Sequence, residues 1–109
     1  MASMQDFIDK LKDNLNELGK QELKEQTDAL VKDGLDFVKE VDEDLKKWIQ
    51  QLAVGEMSVA GFKMAVAGKA ELAKMKAITQ VGLTEIHVAK LKQQVIDTVI
   101  ATATKTFLA

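Results

Sequence analysis

Side-chain catalysis needs a nucleophile, a base or a metal ligand, and this chain offers few of them. It has one histidine (His87), two serines (Ser3 and Ser58) and no cysteine. A nucleophile–base pair would have to join Ser58 to His87, with a third group to orient the imidazole. His87 follows Glu85 as Glu-Ile-His. Carboxylate-bridged two-metal bundles instead use Glu-x-x-His, and use it twice. One histidine therefore enters a metal site only if several copies of the chain bring theirs together. Otherwise it is a residue of a helix surface. Asp42-Glu43-Asp44 is an acidic run, but it lacks the glycine and the alternating oxygen ligands of a calcium loop. Successive residues of a helix point in different directions, so the run reads as a solvated face. Gly61 and Gly68 follow no strand and cannot form a phosphate cradle. The expectation is a protein that is not an enzyme and holds no metal or cofactor.

The composition also counts against nucleic acid as a ligand. All fifteen basic residues are lysine, the pI is near 5.4, and the bidentate arginine fork that grips phosphate is missing. Charge is uneven along the chain. Through Gly55 there are eight lysines against thirteen acids, and from Glu56 onward seven against four. Two halves of net −5 and +3 complement each other when packed, which biases orientation more than it stabilises.

The elements that must position these residues are helices. Apolar residues make up 47% of the 109 and aromatics only 5%, so the core is aliphatic. Proline is absent, which removes the commonest enforced break. Ser3 with Asp6 reads as a capping box. Met4, Ile8, Leu11, Leu15 and Leu18 then recur at spacings of four and three, up to Gly19, a C-terminal stop signal. This predicts a short helix over about 4–18. A second apolar row, Leu23, Thr27, Leu30, Gly34, Val38, Val41, Leu45, Trp48 and Leu52, predicts a long helix over about 20–53. Its register shifts between Gly34 and Val38, where the glycine either allows close packing or marks a bend. Gly55 reads as the turn and Ser58 as the next N-cap.

The remaining half carries two apolar rows. One holds Gly61, Ala65, Gly68, Leu72, Met75, Thr79, Gly82, Ile86, Ala89, Gln93, Ile96, Ile100, Ala103 and Phe107, none of them charged. The other runs through Val59, Phe62, Val66, Ala70, Ala73, Ala77, Val81, Val88, Leu91, Val95 and Val99. Gly82 could stop a helix and Thr84 cap another at 82–84. Both rows nevertheless pass through in phase, which favours one helix over about 58–107, roughly 75 Å long. Phe107 and Leu108 should fray unless they dock on something.

The expected fold is all-α and spans 1–109 as one helical domain. A short N-terminal helix precedes a long antiparallel helical hairpin, which packs as a helical bundle or coiled-coil oligomer. A lone hairpin cannot cover two apolar rows, so association is expected. Leu45, Trp48, Leu52, Gly61, Phe62, Ala65, Gly68 and Leu72 are the candidate helix-packing or oligomer interface. Small residues there let helix axes approach closely, and a tryptophan suits an interface anchor as well as a core.

The functional expectation is a self-associating scaffold, filament or particle subunit, or an adaptor for another helical protein. Two alternatives stand beside it. One is an amphipathic binder of lipid or granule surfaces, for which Ala- and Val-rich faces anchor weakly. The other is a small secreted helical hairpin. The size and two-helix plan resemble secreted hairpins that carry Trp-x-Gly at the turn, although here Trp48 stands seven residues before Gly55. Neither a signal peptide nor a membrane span is visible, which favours the cytoplasm.

Overall fold

Residues 3–70 and 75–108 are described by a computed structural model of the chain. Among them every regular element is a helix. The order is α1 (Met4–Glu22), a 3-10 turn (Lys24–Gln26), α2 (Thr27–Glu40), α3 (Asp42–Ala53), α4 (Val59–Ala70), α5 (Lys76–Thr79) and α6 (Glu85–Leu108).

α1 starts as its sequence demands. The Ser3 hydroxyl accepts the Asp6 N–H at 3.1 Å, and the Asp6 carboxylate accepts the Ser3 N–H at 3.0 Å. Phe7, Leu11 and Leu15, one turn apart, are fully buried. The helix does not stop at Gly19 but continues to Glu22. Gly19 serves a contact instead. A Cβ there would lie 2.6 Å from Thr27 Cγ2 and 3.0 Å from Thr27 Cα, so α2 enters where α1 has no side chain. Lys24, at φ 53°, turns the chain back. Gly34 then packs on Leu15: its Cβ would meet Leu15 Cδ1 at 2.5 Å. Of the two readings of Gly34, close packing is the one observed.

The long helix expected over 20–53 is divided. Val41 leaves helical geometry at φ −104°, ψ 16°, and α3 begins at once. Its first turn is Asp42, Glu43 and Asp44, whose carboxylates face the positive end of a new helix dipole. That favours a restart there. Leu45, Ile49 and Leu52 bury one face of α3, and Gly55, at φ 80°, reverses the chain. Ser58 caps α4 by accepting the Gly61 N–H at 3.0 Å. Asp44 and Lys69 pair at 3.2 Å across the α3–α4 hairpin.

The single helix expected over 58–107 is also divided. After α4 the described chain resumes at Met75 (φ 44°), makes the one turn of α5, and passes through Gly82 at φ 90°. Thr84 caps α6, its hydroxyl accepting the His87 N–H at 3.2 Å. The stop-and-cap reading of 82–84 is therefore the observed one. α6 runs antiparallel to α1. Phe107 packs on Phe7, Asn14 donates to the Thr102 hydroxyl at 2.9 Å, and Gln94 donates to Glu22 at 3.2 Å. The C-terminal turn is thus docked.

The helices fill a body of 42 × 23 × 19 Å, far shorter than a 75 Å rod. Phe62, Val66, Leu91, Val95 and Val99, from the second apolar row, are buried within it. The first row is split. Met75, Ile96, Ile100 and Ala103 are buried, whereas Gly68, Thr79, Gly82, Ile86, Ala89 and Gln93 face solvent.

Candidate interaction surface

α4 has apolar residues on all sides, and the core takes only one of them. Phe62 and Val66 point inward and are fully buried. Ala60, Met64, Ala67 and Gly68, at spacings of four, three and one, face out. Met64 is 76% exposed and stands in the middle of this face. Lys63 beside it is exposed too, and α4 carries no acid. A large flexible thioether ringed by alanine and glycine is a surface a second helix can approach closely. Elsewhere Ile86, 85% exposed, opens the first turn of α6, and Val54 is exposed at the α3–α4 turn.

The residues expected to form an interface separate on this frame. Leu45, Leu52 and Phe62 are core residues of the single chain, and Trp48 is half-buried against that core. Gly61 and Ala65 are half-buried and Gly68 is exposed. Leu72 lies outside the described residues. The first group packs helices within the chain. Of the expected set, Gly68 is the one described residue that is exposed, and it lies on the outward side of α4.

Both serines are engaged structurally. Ser3 and Ser58 accept backbone N–H groups at helix starts. His87 is half-buried in the first turn of α6. Among the described residues, no three His, Cys, Asp or Glu side chains converge as a metal site. No described helix is long and apolar enough to cross a membrane.

One buried charged side chain escapes a reading of the sequence: Asp33, only 4% exposed. Its two oxygens accept the N–H groups of Ala77 at 3.1 Å and Ile78 at 2.6 Å. A signal was available. Asp33 lies on the apolar stripe of α2, three residues after Leu30 and four before Phe37, where a charge needs a partner. Beside it is a cleft of about 480 Å³, with Lys32, Asp36, Lys39, Glu40 and Lys76 at its rim and Phe37 and Met75 in its wall. Three ammonium groups there face three carboxylates, so the cleft favours neither sign of ligand.

No family model, curated protein or solved structure matches the chain.

Proposed function

We propose that the protein is a non-catalytic helical subunit that associates with further copies of itself through the outer face of α4. The observation that supports this reading is Met64, three-quarters exposed on a helix whose other outward residues are Ala60, Ala67 and Gly68. An isolated exposed apolar residue carries little meaning. Here the whole outward side, Lys63 aside, is apolar or lacks a side chain, and the backbone beneath is open. Among the described residues the other exposed large apolar side chains, Val54, Ile86 and Leu108, stand on other elements, whereas α4 gathers outward apolar and small residues on one face, where a second copy gains apolar burial. Scaffold or adaptor is the role that such a surface suits.

The test is the molar mass in solution of the parent chain and of Met64→Glu, by light scattering over a wide concentration range. The parent should rise above its monomer mass as concentration increases, and the variant should stay monomeric with the same helical content. A parent that is monomeric throughout removes the reading. A variant that associates like the parent moves the contact away from α4.

A further inference from the structure

Asp33 is the one charged side chain in the buried set of the described residues. Its partners are the N–H groups of Ala77 and Ile78, in the first turn of α5. Such groups have no acceptor within their own helix. α5 has no local side-chain cap, so a carboxylate from α2 does the work of one. One helical turn does not hold itself together. α5 packs extensively on α2 alone among the described helices. Its anchors are Ile78, fully buried, and Met75, nearly so. Left-handed residues stand at both ends of the segment, Met75 before α5 and Gly82 after it. Between α5 and α6, Gln80, Gly82 and Thr84 are exposed, and the half-buried Leu83 is the side chain that packs against the core.

We infer that residues 75–84 form a strap that leaves α2 as a unit, with the Asp33 carboxylate as its clasp. Opening uncovers Ile78, Met75 and the Phe37 side of α2, while α1, α2, α3 and α6 stay packed. A low-stability element clamped by one buried group is the kind of unit that opens below the global unfolding limit. The assignment does not depend on self-association.

Asp33→Asn tests it. The amide is nearly isosteric, but it keeps one acceptor and turns an NH₂ toward the second backbone N–H. Hydrogen exchange should then accelerate about ten- to hundredfold in the strap, the range for leaving a buried donor unpaired. The decisive amides are Thr79, Gln80 and Val81, which bond to Met75, Lys76 and Ile78 rather than to Asp33. They should speed up together, with Leu91, Val95 and Val99 unchanged. Acceleration confined to Ala77 and Ile78 would show a local hydrogen bond and no strap. Should the variant unfold globally, the parent protein decides. Its Thr79, Gln80 and Val81 amides must share one opening rate at least about tenfold above those of α6, as a sub-global unit requires. Equal protection in strap and α6 overturns the inference.

Discussion

Gly19→Ala and Gly68→Ala form a matched pair that isolates the α1–α2 contact. Both glycines lie in the last turn of a described helix, so alanine brings each a similar gain in helix propensity, at most about 1 kcal/mol. A Cβ at Gly68 meets nothing within 4 Å. At Gly19 it falls 2.6 Å from Thr27 Cγ2, against the 3.4 Å at which ordinary contact begins. It also sits 3.0 Å from Thr27 Cα, which is backbone and cannot rotate away. The two helices must therefore separate by several tenths of an ångström along a seam that holds Leu15 and Leu30. Overpacking of this kind costs about 1–3 kcal/mol. The propensity gain cancels between the variants, so Gly68→Ala should exceed Gly19→Ala in stability by about that amount. For a domain of this size it corresponds to roughly 4–12 °C in Tm. Urea unfolding followed by far-UV circular dichroism, at a concentration that keeps the chain monomeric, reads the difference. Adding Thr27→Ser to Gly19→Ala removes Cγ2 and should recover part of the loss, a coupling that the double-mutant cycle measures. Gly19→Ala matching Gly68→Ala in stability would refute the reasoning.

Two further outcomes follow from the same packing. Phe107→Ala removes a half-buried ring whose centroid is 6.0 Å from that of Phe7, and should cost about 2–3 kcal/mol, below the figure for a fully buried phenylalanine. Amides of the last turn of α6 should lose protection first; a loss spread evenly over α6 would contradict docking by this ring. Asp6 should titrate below its ordinary 3.8, because the Ser3 backbone N–H bonds its ionised form. The stability it contributes is complete above 3.8 and is lost as pH falls through the lower native value. Carbon-detected titration of the Asp6 carboxyl checks this, and a midpoint at or above 3.8 is the adverse result.

Much of the fold was legible in the residues. The Ser3–Asp6 box, the Gly55 turn, the Ser58 cap and the apolar faces of α1 and α3 are local signals and lie where the pattern placed them. The length of the helices was not legible. Periodicity reports which face of a helix is apolar, but not whether the chain between two such faces stays straight. Both apolar rows run in phase through 75–84, yet Asp33 draws that segment onto α2 from 44 residues away in sequence. Gly19 looked like a stop because glycine commonly ends helices; its role is to admit Thr27, which only the tertiary contact reveals. The candidate surface shows the same split. Spacing singled out the Ala- and Gly-rich helix, whereas only packing shows that Phe62 turns inward and Met64 outward.

Self-association of the chain is tested most directly by sedimentation equilibrium of the parent, from dilute solution to about 1 mM, the weak end of specific binding. The weight-average mass should climb from 12.0 kDa toward a multiple of it. A mass fixed at 12.0 kDa over the whole range would contradict the account.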